Sequence, residues 1–233
     1  MKLRLLSTTL AITGILGVMS LASGASSRVT PYAQMKSAIS DANAEQSVRV
    51  TTTAKMSGLK IVQVTDAGRS AGRQSITLTK LGYAHTVKVV FIEGKLYVKG
   101  DASILTSYLG LSQANANELG GQWFGIPKSS GYYAQVAAGL TISTGMAEVT
   151  MTSSVTSGPA VKLDGVQVGV LQGTSVKTSL QPSFKETLYT STAREPLPVE
   201  VTQNVQGSIG TIMFGDWNEK IEVTAPKVTL YLN

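Results

Sequence analysis

The sequence predicts an α+β protein in which one large antiparallel β-sheet carries a group of short helices. Most of the chain consists of short runs in which apolar and polar residues alternate, separated by glycine-containing turns. Between residues 101 and 146 the apolar residues change to helical spacing. We count about ten or eleven strands, and a sheet with so many strands must curl.

The N-terminal 25 residues predict a secretory signal peptide, which leaves residues 26–233 as a single domain. Lys2 and Arg4 precede an apolar run from Leu5 to about Leu21, and small residues follow it. An uncleaved anchor helix is the alternative, since the run approaches the length of a membrane span. The sequence contains no cysteine, so a lipid cannot be attached through a thiol. We therefore expect export to the cell envelope or beyond, without a lipid anchor.

The first half of the domain is predicted to be a helix followed by a meander of strands. Thr30 and Pro31 form an N-cap and first-turn pair for a helix that ends before Gln46. The alternating runs that follow predict strands at 48–56, 59–65, 73–80, 83–92 and 95–99. Residues 66–68 are expected to be a turn, and Glu93-Gly94 is a tight hairpin signal.

The helical section begins after this hairpin. Asp101 is a suitable N-cap and Gly110 a suitable C-terminal cap for a first helix. A second helix runs from Ser112 to Gly120, and helical spacing continues to about Met146. The later alternating runs predict strands at 160–163, 166–172, 175–180, 185–192, 197–203, 208–214 and 221–224, with a tail strand at 228–232.

The side chains that carry catalysis or bind metals are scarce. His85 is the single histidine of the sequence, and no ligand partners stand at metal-binding spacing, so it is interpreted as a surface or pocket-rim residue. An S-x-x-K match at 57–60 spans a turn and lacks its partner motifs. Asp216 and Glu222 could pair with each other or with a lysine, which is not evidence of catalysis. The sequence therefore predicts a protein that is not an enzyme and needs no cofactor or metal.

The charge of the chain is mildly positive. The formal net charge is +6 at pH 7, and it becomes +4 (18 basic minus 14 acidic residues) once Lys2 and Arg4 leave with the signal peptide. The basic residues are scattered along strands, which argues against nucleic-acid binding. Mild affinity for an anionic membrane surface is the most that this charge implies.

Two groups of short motifs carry a resemblance to a known family. The first is LYVKGD at 96–101, followed by a short helix, Gly121-Gln122-Trp123 and Ile126-Pro127. The second is PLPVEV at 196–201, GDWN at 215–218 and VTAP at 223–226. In this order the motifs resemble the exported LppX/LprG group of envelope proteins, which are relatives in fold of the lipoprotein carriers LolA and LolB. The sequence departs from this family at two points. Gly24 stands where lipoprotein members have a cysteine, and the chain continues beyond VTAP, near which the family pattern normally stops.

The resemblance implies a half-barrel whose helices cover the concave face and leave an apolar cavity for acyl chains. The apolar residues of the helical section are then the candidates for lining this cavity: Ile104, Leu105, Tyr108, Leu109, Trp123, Phe124, Tyr133, Val136, Ala137 and Leu140. On this interpretation the protein is a monomeric exported carrier or binding protein for lipids or lipidated envelope molecules, in transient contact with a membrane.

The alternative is a solid-cored, β-rich envelope protein with a structural role or a protein partner. In that case the same apolar stripes are ordinary packing against the sheet. The sequence does not distinguish a packed interior from a cavity, so both functions stay open.

Overall fold

The computed structural model describes residues 29–56, 58–147, 149, 151–175, 183–205, 208–228 and 230–232. Within these residues one sheet of 12 strands carries five short helices, which confirms the predicted α+β half-barrel with a curled antiparallel sheet. The helices are α1 (Pro31–Ala44), α2 (Ala102–Leu109), α3 (Gln113–Leu119), α4 (Tyr133–Ala137) and α5 (Ile142–Met146). The predicted signal peptide lies outside the described residues.

The strands follow the chain in two blocks, one on each side of the helical section. The first block is β1 (Ser47–Met56), β2 (Leu59–Gly68), β3 (Ala71–Lys80), β4 (Tyr83–Ile92) and β5 (Lys95–Lys99). The short strand β6 (Phe124–Ile126) lies within the helical section. The second block is β7 (Thr156–Leu163), β8 (Val166–Thr174), β9 (Lys185–Ser191), β10 (Pro198–Val205), β11 (Ser208–Gly215) and β12 (Leu230–Tyr231).

The two blocks join through the first strand of one and a late strand of the other. The order across the sheet is β12-β6-β5-β4-β3-β2-β1-β11-β10-β9-β8-β7. The described pairs are antiparallel except for β12, which lies parallel to β6. The β1–β11 pair brings residues near 50 beside residues near 214. The middle of the sheet is therefore built from residues that are far apart in the sequence.

The predicted turn at residues 66–68 is wrong, because β2 continues to Gly68 and the chain turns at Arg69 and Ser70. Asp66 belongs to the strand since arginines on both neighbouring strands bind its carboxylate. Ala67 is buried beneath the helices. A polar residue followed by Ala-Gly is typical of a turn, but these long-range contacts keep the backbone extended.

The helix caps of the helical section are confirmed. Asp101 accepts a hydrogen bond from the backbone N–H of Ile104 at 2.9 Å, and Gly110 ends α2 in the left-handed conformation with φ of 70°. Ser112 caps α3 by accepting a hydrogen bond from the backbone N–H of Asn115. The helical section also contains a strand that the sequence did not predict, because residues 124–126 form β6 beside β5. Three residues are too few to show the alternation of a strand.

The end of the chain also differs from the prediction. Residues 221–224 alternate like a strand but have no regular secondary structure. They follow β11, whose two edges are already occupied by β1 and β10, so the sheet offers no adjacent place for them. The tail instead reaches the opposite edge, where β12 pairs with β6. Most of the predicted strand at 175–180 lies outside the described residues.

The buried apolar side chains form two separate clusters on the concave face. The first, here called the lid cluster, joins α2, α3 and α4 to β3–β6. The second, here called the α1 cluster, joins α1 and α5 to β1 and β8–β11. Trp217, in the turn after β11, stacks on Phe214 with ring centroids 6.4 Å apart and completes the α1 cluster at the end of the sheet. None of the helices in the described part of the chain is long and apolar enough to span a membrane.

Candidate functional site

A narrow pocket lies on the concave face of the sheet, roofed by Gly139 of the connection between α4 and α5, by Gly145 of α5 and by Val149 after it. We call it the central pocket; its volume is about 20 Å³. Its floor comes from β1, β2 and β11, and its roof from residues around α5. The lining residues are Val50, Thr52, Gln63, Thr65, Gly139, Gly145, Val149, Ile212 and Phe214.

The alternation of β1 and β2 explains why polar and apolar residues share this floor. Val50 lies opposite Thr65 and Thr52 lies opposite Gln63, so all four side chains point to the same face of the sheet. Thr65 in turn accepts a hydrogen bond of 3.0 Å from Nε2 of Gln74 on β3. We call Thr52, Gln63, Thr65 and Gln74 the polar seam. It crosses a concave face that is otherwise largely apolar.

The roof is attached to the sheet close to the pocket. Gly72 on β3 has no room for a side chain, because a Cβ atom there would lie 1.9 Å from the carbonyl oxygen of Leu140. The next residue, Thr141, forms a parallel bridge with Gly68 and begins α5 with a capping box to Thr144. The α4–α5 connection therefore rests on the ends of β2 and β3, while Gly139 and Gly145 place no side chains over the pocket.

Nine of the ten residues predicted to line a lipid cavity come together in the lid cluster. Six are buried there: Ile104, Leu105, Leu109, Phe124, Val136 and Leu140. Tyr108, Tyr133 and Ala137 are partly buried against them. Tyr133 also donates a hydrogen bond of 2.7 Å to the carbonyl of Gly94, which ties α4 to the β4–β5 hairpin. None of the ten is among the residues that line the central pocket.

The tenth predicted residue, Trp123, stands apart. It lines an open pocket of about 310 Å³ together with Val64, Val90 and Lys88. Strand register places those three side chains on the convex face, opposite the helices. Trp123 therefore does not join the other nine.

Sequence reasoning missed the residues of the central pocket. Thr52 occupies an inward position of a strand whose other inward residues are Val48, Val50, Ala54 and Met56. A polar residue within an apolar stripe is a signal that can be read from the sequence. The glycines of the roof gave no such signal, because their position over the sheet depends on the fold.

His85, Asp216 and Glu222 each lie beside one partner of opposite or titratable charge. Nδ1 of His85 lies 2.9 Å from a carboxylate oxygen of Asp101, the N-cap of α2. Asp216 pairs with Arg49 at 3.0 Å, and Glu222 pairs with Lys220 at 2.9 Å. The described residues contain no group of three or more histidines and carboxylates that could hold a metal ion.

The main charged cluster lies on the convex face, behind the central pocket. Nε of Arg49 and Nε of Arg73 bind the two carboxylate oxygens of Asp66 at 2.7 and 2.8 Å, and the Asp66 side chain is only 11% exposed. Burial alone would raise the pKa of Asp66, but the hydrogen bonds and charges of the two arginines outweigh it and lower that pKa. The cluster connects β1, β2 and β3 directly beneath the polar seam.

Replacing Asp66 by Asn is expected to lower the free energy of unfolding at pH 7 by about 1–3 kcal/mol. The amide nitrogen cannot accept a hydrogen bond, so one of the two bonds from the arginines is lost and the other is to a neutral oxygen. Since the pKa of Asp66 is lower in the folded than in the unfolded chain, this stabilisation is present above the unfolded value of about 3.9. It is lost as the pH falls through the folded value. Urea unfolding from pH 7 downward should therefore show a smaller loss of stability for Asp66→Asn than for the wild type. Equal stability of the two proteins at pH 7 would contradict this.

Comparison with known proteins supports the fold. The sequence matches no protein-family model and no curated protein. LprF from Mycobacterium bovis is similar in structure, with a TM-score of 0.55 and 12% sequence identity over 84% of this chain and 96% of that chain. The lipoprotein LppX from Mycobacterium tuberculosis gives a TM-score of 0.53 and 14% identity over 83% of this chain and 98% of that chain. At these identities the likeness shows the fold, and at that level it confirms the resemblance of the sequence motifs.

Proposed function

We propose that the protein is an exported carrier or binding protein for lipids or lipidated envelope molecules. The acyl chains are held between the concave face of the sheet and the helices. The observation that carries the proposal is the division of the apolar interior into the lid cluster and the α1 cluster. The polar seam crosses the sheet between the two clusters, and the central pocket lies above it, beneath the α4–α5 connection. The fold shared with LppX and LprF, and the motifs that resemble the LppX/LprG group, support the same function.

Burial supplies the binding energy in this mechanism. Each methylene of an acyl chain gains about 0.8 kcal/mol when it leaves water for an apolar site. A pocket of about 20 Å³ has room for roughly one water molecule, so an acyl chain enters only when the α4–α5 connection moves away from the sheet. The ligand then separates the lid cluster from the α1 cluster and lies between them. Nine of the ten residues predicted from the sequence belong to the first of these surfaces.

The polar seam gives the site a means of orienting its ligand. Thr52 and Gln63 offer hydroxyl and amide groups within an apolar surface, which is how small-molecule sites fix the direction of a largely apolar ligand. An ester, hydroxyl or amide group at the polar end of the lipid is complementary to these donors and acceptors. Reaction chemistry is not part of the proposal, because binding and release require only burial and hydrogen bonding.

Export and membrane contact complete the proposal. Residues 1–25 act as the signal peptide and residues 26–233 as one monomeric domain. Without a cysteine the mature chain carries no thiol-linked lipid, so it moves between donor and acceptor membranes and touches each transiently.

A second function is favoured by the packing itself. Six of the predicted cavity residues are at most 5% exposed in the lid cluster, and the central pocket is small. A solid-cored envelope protein with a structural role or a protein partner would have such an interior.

Uptake of a fluorescent long-chain fatty-acyl probe distinguishes the two functions. A carrier gives saturable binding that a long-chain lysophospholipid displaces and a short-chain analogue does not. A solid-cored protein gives no saturable signal, although circular dichroism shows that it is folded. That result would contradict the carrier function.

A further inference from the structure

Three hairpins end at the same side of the sheet, away from the Asp66 cluster. They are the β1–β2, β3–β4 and β10–β11 hairpins, which are neighbours in the order β4-β3-β2-β1-β11-β10. Met56 lies opposite Leu59, Leu59 lies opposite Lys80, and Lys80 lies opposite Tyr83. Because neighbouring strands are about 4.8 Å apart, the six strands of the three hairpins form one row about 24 Å long. We call this row the hairpin edge.

The hairpin edge exposes large apolar side chains. Leu81 is 85% exposed, Tyr83 75%, Ile209 63% and Met56 46%. Scattered apolar residues are common on protein surfaces, but neighbouring ones at an edge indicate an interaction site. Met56 and Tyr83 leave the sheet on its concave face and Ile209 on its convex face, so one partner meets them only at the ends of the hairpins. These ends are therefore a candidate contact surface.

The β3–β4 turn shows that Leu81 is unfavourable for the fold itself. Leu81 and Gly82 both have positive φ, of 52° and 84°. The same two-residue turn occurs with Glu93-Gly94 and with Asp164-Gly165, where the first residue is polar. Asp and Asn tolerate this left-handed conformation better than other residues, and Leu gains nothing from exposure to water. A leucine at this position is explained if its side chain contacts something apolar.

Lysines accompany these apolar residues. Lys55 precedes Met56, Lys60 follows Leu59, and Lys80 precedes Leu81. The described residues of the three hairpin ends, at 53–56, 58–62, 78–85, 203–205 and 208–211, contain no aspartate or glutamate. Two carboxylates approach from neighbouring elements: Asp101 is held by His85, and Glu186 on β9, opposite Gln203, is buried. The edge is thus apolar at its tip and positive along its sides, which is complementary to an anionic bilayer.

We propose that the hairpin edge docks on the surface of anionic phospholipid bilayers, with Leu81 and Tyr83 entering the interface and the three lysines facing the lipid phosphates. An aromatic ring with a hydroxyl group suits the level of the headgroups. Each lysine near an anionic membrane surface raises the affinity of the protein for that membrane by about fivefold. This proposal rests on the proposed carrier function for its purpose, since a carrier must meet membranes, but it uses a different part of the molecule.

Co-sedimentation with phosphatidylglycerol-containing vesicles, against phosphatidylcholine-only vesicles, tests the proposal. The wild type should bind the anionic vesicles, and added salt should weaken binding. Leu81→Asp should reduce this binding by about tenfold or more, because it removes an inserted side chain and adds a negative charge. Its melting temperature should not fall, since aspartate is the residue found in the equivalent turn at Asp164-Gly165.

Two triple variants provide the matched control. Replacing Lys55, Lys60 and Lys80 by Gln should weaken binding by about two orders of magnitude. Replacing Lys88, Lys95 and Lys99 by Gln removes the same charge from β4 and β5 and should change binding much less. Equal losses in both variants, or no binding of the wild type, would overturn the proposal. All these variants should bind the acyl probe normally in solution without vesicles. A wild type that binds no probe would instead contradict the carrier function.

Discussion

The variant Thr52→Trp is expected to lose uptake of the fluorescent acyl probe by at least about tenfold. The indole would occupy the place between β1 and the α4–α5 connection where the acyl chain is proposed to lie. Because the pocket of about 20 Å³ cannot hold the ring, the roof must shift from the sheet, at a cost in stability of about 1–3 kcal/mol. The stability cost is the same for a solid core, so the two functions are distinguished by uptake in the wild type and its loss in the variant.

Thr51→Trp is the matched control for this variant. Thr51 has the same side chain and neighbours Thr52 on β1, but strand alternation directs it to the convex face. Its replacement should leave both uptake and melting near those of the wild type. If Thr52→Trp takes up the probe as well as Thr51→Trp does, the central pocket is not the binding site. A wild type that takes up no probe would favour the solid-cored alternative.

The variant Gly72→Ala is expected to cause a loss of stability of about 3 kcal/mol, the upper end of the range for overpacking. A methyl group at this position would lie 1.9 Å from the carbonyl oxygen of Leu140, so the α4–α5 connection must shift from the sheet. For a domain of this size the loss corresponds to a fall of roughly 6–12 °C in melting temperature.

Gly215→Ala, on β11, is the control, because a Cβ atom there has nothing within 4 Å and its φ is not positive. It should stabilise the protein slightly, by about 0.4–1 kcal/mol, through the unfolded chain. Melting of Gly72→Ala within a degree of the wild type would show that Leu140 is not seated on Gly72. The comparison therefore tests where the roof of the central pocket is attached.

Local chemistry explains which elements could be predicted from the sequence. The caps at Asp101, Gly110 and Ser112 act within one helical turn, so their effect can be read without the fold. The same holds for the Glu93-Gly94 hairpin, whose residues both have positive φ. The meander from β1 to β5 was predictable because neighbours in the sequence are neighbours in the sheet.

The errors arise where distant residues decide the structure. Asp66 remains in a strand because Arg49 and Arg73 bind it, and β6 exists because it pairs with β5 across the helical section. Residues 221–224 alternate like a strand but find no free edge beside β11. Periodicity describes what a segment can form, whereas the available partners decide what it does form.

The candidate site was predictable only in part for the same reason. The apolar stripes of the helical section identified the residues of the lid cluster, since helical spacing is a local property. The central pocket depends on the β1–β11 pair, in which Thr52 lies opposite Ile212, and on a roof that crosses Gly72. No pattern in a single segment contains that arrangement.

Native mass spectrometry of the protein purified from its native host, without detergent, tests the proposed carrier function most directly. We expect a mass above that of the mature polypeptide, with the excess released on denaturation and recovered in the organic extract as an acyl-containing lipid. The carrier function is contradicted if the folded protein has the mass of the bare polypeptide and also takes up no acyl probe. That result would favour the alternative function, a solid-cored envelope protein.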